Sequence, residues 1–302
     1  MRTRILLALA ALGFLAAGPM RGQSTEAAVT LLTDVRTLAS DGWSGRLTGS
    51  PGADSAARYL ARRFRQVGLK PGPQGFFQVF TIAREAPAAV HAGIGGAVAR
   101  NVVGVLPGRD PELRNEIVVV GAHYDKASKG CGAVDNWTGI VILAHLYRTM
   151  RVSAPSKTIL FVAFGREEDG LVGSRAMVNA IDKKDRDSYC SMVNLDSFGF
   201  ARPQVLENVS TPKLTAFAEE VAKQNNVPFA SAAVDAGADS TSFRDKGIPA
   251  VTLHGLSNTG LALIHTASDQ VDRVNAGTVH IGYRFALMLI ARLDQCDCKA
   301  FR

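Results

Sequence analysis

Three near-continuous apolar runs, each followed at once by charged or imidazole side chains, constrain this chain more than any other feature. Glu116 to Val120 closes on Gly121 and is followed by His123 and Asp125. Thr158 to Phe164 is followed by Glu167 and Glu168, and Met192 to Leu195 ends on Asp196. Runs this short and this apolar read as strands buried on both faces, which is the signature of parallel pairing. Between them, Asn136 to Met150 and Leu171 to Ala180 have helical periodicity. Further along, Lys213 to Gln224 reads as a helix, Ala250 to Leu253 as a fourth strand, and Ala276 to Leu293 as a long helix. Such alternation predicts an α/β fold: a mostly parallel sheet with helices on both faces. Ligands in such folds bind at the carboxyl ends of the strands, where this chain places its charges.

Upstream, Ala27 to Leu38 and Ala53 to Val67 read as amphipathic helices, separated by a Gly/Ser-rich loop from Gly42 to Gly52. Phe76 to Ile82 and Val102 to Leu106 read as strands. The 302 residues are 47% hydrophobic and 20% charged, enough for one substantial core, and no linker or internal repeat divides them. The expected organisation is therefore a leader over residues 1–23 and one domain over 24–302. Arg2 and Arg4 precede an apolar run from Ile5 to about Ala17, with small and polar residues up to Gln23. That is the pattern of a secretory signal, too short to span a bilayer comfortably, so the mature chain is expected outside the cytoplasm or in the periplasm, free of the membrane.

Net charge is +7, but Lys and Arg are scattered without interleaved aromatics, which gives no support to nucleic-acid binding. Four cysteines, Cys131, Cys190, Cys296 and Cys298, allow three pairings, and a bridge between Cys296 and Cys298 would be strained. A disulfide from Cys131 to Cys190 or to the tail would brace the loop before Asp135.

Imidazoles and carboxylates arriving from separate segments are what a borderline dication requires. The segments are Gly121-Ala122-His123-Tyr124-Asp125, Gly132-Ala133-Val134-Asp135-Asn136, Arg166-Glu167-Glu168-Asp169-Gly170, Asn194-Leu195-Asp196-Ser197 and Ile264-His265-Thr266. In this order, and with the phrases Asn101-Val102-Val103-Gly104-Val105, Phe161-Val162-Ala163-Phe164, Gly170-Leu171-Val172-Gly173-Ser174 and Gly247-Ile248-Pro249-Ala250, the chain resembles the zinc aminopeptidases of metallopeptidase family 28. The likeness runs from about Leu38 to Asn275. It implies a three-layer α/β/α zinc-exopeptidase architecture and two zinc ions bridged by Asp135. One ion would also take His123 and Asp196, the other Glu168 and His265. Asp125 would orient His123, and Glu167 would be the general base toward a water shared by the metals. The implied substrates are peptides with a free amino terminus.

Departures from the family pattern are also visible. The residue before the last histidine is Ile264, where these enzymes often carry a tyrosine that stabilises the oxyanion. Ser240 stands where the phrase containing Asp239 often has histidine, leaving Asp239 as a partner of the site or as a helix N-cap. Trp137 fits core packing better than a pocket wall. His91, His145 and His280 read as ordinary histidines, whereas His254 ends a strand on the site side. The competing reading is a one-zinc glutaminyl cyclase on the same fold, although that family typically has tryptophan where Ile264 stands. A lid-bearing carboxypeptidase needs more chain between Asp196 and His265 than is present, and a non-catalytic relative would have lost ligands that are all here.

Overall fold

The computed structural model describes residues 20–39, 46–47, 50–82, 96–232 and 236–302. Most of the leader reading, the greater part of the Gly42–Gly52 loop and His91 lie outside the described residues. In chain order the helices are α1 (Met20–Leu38), α2 (Pro51–Gln66), α3 (Thr138–Met150), α4 (Val172–Asn179), α5 (Pro212–Gln224), α6 (Ser240–Arg244), α7 (Asn258–Leu261) and α8 (Ala276–Leu293). The strands are β1 (Lys70–Pro71), β2 (Phe77–Thr81), β3 (Val98–Leu106), β4 (Ile117–His123), β5 (Thr158–Phe164), β6 (Tyr189–Leu195), β7 (Gln204–Leu206), β8 (Ala230–Ala232) and β9 (Ala250–His254). Helix α1 begins at Met20, earlier than the expected Ala27, so residues 20–23 of the leader reading belong to its first turn.

One nine-stranded sheet runs β1-β3-β5-β4-β6-β9-β7-β8, with β2 also paired to β3. Its centre, β5-β4-β6-β9, is parallel throughout. Antiparallel pairing is confined to the flanks, where β1, β2 and β5 pair with β3 and β7 pairs with β9. Alternate strand residues feed two cores, because successive side chains leave a strand on opposite faces. Val118, Val120, Phe161, Ala163, Val193, Leu195, Val251 and Leu253 pack with residues of α1, α2, α3, α5 and α8. Val119, Leu160, Val162, Phe164, Met192 and Ala250 pack with Met177 and Val178 of α4 and Phe243 of α6. The result is the expected helix–sheet–helix sandwich.

Local chemistry sets several boundaries. Ser50 caps α2 by accepting from the Ala53 N–H, and Pro51 occupies its first turn. Asn275 caps α8 in the same way, accepting from Thr278. Among the described residues no helix is long and apolar enough to cross a membrane. The expected bracing disulfide at Cys131 is not formed. Cys190 pairs with Cys298, and Cys131 and Cys296 are free. The reason is the path of the tail, which returns beside the start of β6 and leaves the Cα atoms of Cys190 and Cys298 4.4 Å apart.

Candidate metal centre

The carboxyl ends of β4, β5 and β6 carry the chemistry. His123 is the last residue of β4, Asp196 follows the last residue of β6, and Glu167 and Glu168 follow β5. Asp135 lies in the tight turn Ala133–Trp137 that leads into α3, with a cis peptide to Asn136. His265 arrives from the loop after α7.

These groups converge around Asp135. Its Oδ1 is 3.0 Å from His123 Nε2, and its Oδ2 is 2.9 Å from His265 Nε2. Glu168 Oε2 is 3.1 Å from His265 Nε2, and Asp196 Oδ1 is 3.5 Å from His123 Nε2. The carboxylate of Asp135 thus faces two imidazoles, one oxygen each. His123, Asp135 and Glu168 offer ligand atoms within 4.8 Å of one another. Two buried oxygens here, Asp135 Oδ1 and Glu168 Oε1, have no hydrogen-bond partner. Buried carboxylate oxygens are rarely left unpaired, so a cation between these groups fits the donor set.

Electrostatics follow from that crowding. Burial works against ionising Asp135, but the His123 and His265 imidazoles beside its two oxygens hold it below the usual carboxylate range. Burial and the neighbouring Asp135 charge push Glu168 up to about 7, while burial lifts Glu167 well above its ordinary value. Hydrogen bonds to Asp135 and Glu168 raise His265 to about 11. His123 is also raised: its burial is outweighed by Asp125, Asp135 and Asp196.

Asp125 is placed differently from its expected role. Its carboxylate lies 3.6 Å from His123 Nδ1, which instead sits 3.2 Å from the Asp125 backbone oxygen. The two carboxylate oxygens accept the backbone N–H groups of Glu167 (3.1 Å) and Glu168 (3.2 Å). Asp125 therefore anchors the Glu-Glu turn while its backbone oxygen orients the imidazole. Asp239 is fully buried and makes no side-chain capping bond to α6, and burial pushes its carboxyl up to about 7. Trp137 is buried in the core, under the Arg46 guanidinium, whose carbon is 3.9 Å from the ring centre.

Three residues that shape the site were not singled out by sequence. Arg46, 1% exposed, donates to the backbone oxygens of Tyr124 (2.7 Å), Cys131 (2.8 Å) and Gly132 (3.2 Å). Asp269 accepts the N–H of Val134 (2.8 Å) and of Asp135 (3.2 Å), gripping the turn from the other side. Asn136 donates to Leu195 O and accepts from Gly139 and Ser197, tying that turn to the end of β6. Gly139 is required there: a Cβ would run into Asn136 Oδ1 and Leu195 O. The one available signal was Asp269, a carboxylate four residues past His265.

A cleft of about 500 Å³ opens over these groups. Leu206, Leu256, Leu261 and Ile264 form its apolar wall, and His254 and Arg175 add polar groups. Burial pushes His254 down to about 4, so its ring is neutral.

An α/β sandwich whose strand ends gather imidazoles and carboxylates under an open cleft defines a metallohydrolase scaffold. The sequence profile of peptidase family M28 matches residues 101–290, and the chain belongs to that family. It is 26% identical over 223 residues to leupeptin-inactivating enzyme 1 of Streptomyces exfoliatus, covering 72% of this chain and 46% of that protein. It is 33% identical over 101 residues to aminopeptidase YwaD of Bacillus subtilis, covering 33% of this chain and 22% of that protein. The chain thus spans less than half the length of these curated relatives. The fold matches a zinc aminopeptidase from Bacillus subtilis with TM-score 0.75 at 14% identity, over 91% of this chain and 98% of that one. A glutaminyl cyclase from Fimbriiglobus ruber matches with TM-score 0.71 at 19% identity, over 94% and 99%.

Proposed function

We propose that the protein is an exported zinc aminopeptidase that holds two zinc ions and hydrolyses the first peptide bond of chains with a free amino terminus. The observation that carries this reading is the division of Asp135 between His123 and His265, at 3.0 and 2.9 Å. One carboxylate facing two imidazole centres is what a bridging ligand requires. His123 and Asp196 would hold one ion, Glu168 and His265 the other. When bound, such a pair supplies Lewis-acid polarisation of the scissile carbonyl and a water acidified toward pH 7.

The chain's own residues do the rest. Glu167, half-buried beside the ligands, takes the proton of the attacking water and returns it to the leaving amine. Asp125 fixes the turn on which Glu167 sits through the two N–H bonds it accepts. The apolar wall of Leu206, Leu256, Leu261 and Ile264 suits an apolar first side chain and excludes water from it. Export, with removal of residues 1–23, agrees with the Cys190–Cys298 disulfide, since such bonds persist in oxidising compartments.

The fold match to a cyclase favours a second reading, glutaminyl cyclisation on one zinc. Ile264 argues against it. Metal analysis of the purified protein, combined with assays on aminoacyl arylamides, separates the two. The aminopeptidase reading expects close to two zinc equivalents and turnover only when the amine is unblocked. One equivalent, with turnover restricted to peptides that begin with glutamine, would overturn it.

A further inference from the structure

His254 ends β9 at the cleft that holds the metal ligands and is 5% exposed. Its two ring nitrogens have different duties. Nδ1 accepts the backbone N–H of Leu256 at 3.3 Å. A nitrogen that accepts from an N–H has no proton of its own, so the ring proton is on Nε2. That Nε2 is buried and has no hydrogen-bond partner, and none of its described neighbours offers a carboxylate within 4 Å. A buried donor without a partner costs free energy, and in a cleft lining it marks the place of a ligand acceptor.

The other polar groups of the cleft are engaged or exposed. Ser197 Oγ donates to Asp196, and Thr252 Oγ1 is 2.6 Å from Ser240 Oγ. Arg175 is exposed to solvent. Ile264 supplies no donor at the position before His265. Hydrolysis moves charge onto the acyl oxygen, and a preorganised donor facing that oxygen is worth more than one that must first shed water.

We propose that His254 is a catalytic residue of this centre, its Nε2–H donating a hydrogen bond to the substrate's acyl oxygen as that oxygen becomes anionic. The proton stays on the imidazole throughout, so no bond of the ring is made or broken. The proposal rests on the aminopeptidase reading above.

Three measurements on the intact protein test it. In the metal-free protein, ring nitrogen chemical shifts of labelled histidine should report the Nε2–H tautomer for His254. The Nδ1–H tautomer would overturn the proposal. H254A should retain its zinc and lower kcat/KM on an aminoacyl arylamide by about 10²–10³-fold, the loss typical of a missing oxyanion donor. H254Q, which restores an amide N–H, should recover part of that loss. An α-aminoalkyl phosphonate, which carries the tetrahedral anionic oxygens, should bind H254A more weakly in proportion to the lost kcat/KM, as read by calorimetry. The free amino-acid product should bind both proteins alike. Equal weakening of phosphonate and product, loss of zinc, or unchanged kinetics in H254A would each overturn the role. A wild-type protein that fails to cleave free-amine arylamides, with zinc bound, would instead bring down the parent reading and this one with it.

Discussion

At the scale of single residues, the most informative position is Glu167. It is adjacent to the proposed ligand Glu168, yet the two carboxylates differ in company: Glu168 Oε2 faces His265 at 3.1 Å, whereas among the described residues no imidazole nitrogen lies within 4 Å of the Glu167 oxygens. Glu167→Gln preserves size and hydrogen bonding but cannot accept a proton. The expected outcome is a kcat lower by about 10²–10⁴-fold, the usual contribution of a positioned general base, with zinc content unchanged by metal analysis. A large loss of zinc in the variant would instead make Glu167 a ligand. Residues that carry chemistry were legible in the sequence because charge at the tip of an apolar strand is costly and therefore conspicuous. His123, Glu167, Glu168 and Asp196 could all be found that way. Arg46 and Asn136 could not, because they act on backbone groups as far as 86 residues away, and nothing in their own neighbourhoods announces it.

Among the elements, legibility tracks periodicity. Strand β5 lies where its continuous apolar run places it, buried on both faces, and helix α8 lies where helical spacing places it, with one face in the core. The short strands β1, β7 and β8 carry no such period: β1 is exposed, and β7 and β8 have three residues each, β8 at the edge of the sheet. Pairing with neighbours creates them, and that is tertiary information. The turn Ala133–Trp137 is another case, because its shape is held from outside by Arg46 and Asp269. Arg46→Met keeps much of the side-chain bulk over Trp137 but leaves the backbone oxygens of Tyr124 and Cys131 without their donor, while Gly132 O keeps the Trp137 N–H. Each unmatched buried acceptor costs about 1–3 kcal/mol, so urea unfolding should show a loss of about 2 kcal/mol or more. The same variant should bind zinc more weakly in titration, because the turn that aims Asp135 has lost one of the groups that hold it. Reduced stability with unchanged zinc affinity would mean that Arg46 serves the core alone.

For the whole molecule, the pairing of Cys190 with Cys298 was beyond the reach of sequence spacing, because it depends on where the tail returns after α8. The same assembly of distant segments concentrates carboxylates, and that has a consequence for stability against pH. Glu168 is raised from 4.5 to about 7 and Asp239 from 3.8 to about 7, both chiefly by burial. An acid raised in the folded state holds its proton more tightly there than in the unfolded chain. Its contribution is fully present below the unfolded value and is lost as pH rises through the folded one. Metal-free protein should therefore lose stability between about pH 4.5 and pH 7. His265, raised from 6.5 to about 11, contributes fully below 6.5 and loses that contribution as pH climbs toward 11, so above 6.5 it adds to the loss from the acids. A dication reverses the sign, since it demands ionised carboxylates and displaces their protons. Thermal melts from pH 5 to pH 8 should show the gap between zinc-loaded and chelated protein widening as pH rises. Addition of zinc in weak buffer near pH 6.5 should release protons measurable with an indicator dye. A gap independent of pH, with no proton release, would mean that the carboxylates at the strand ends are already ionised without metal, and the buried cluster would then have to draw its counter-charge from elsewhere.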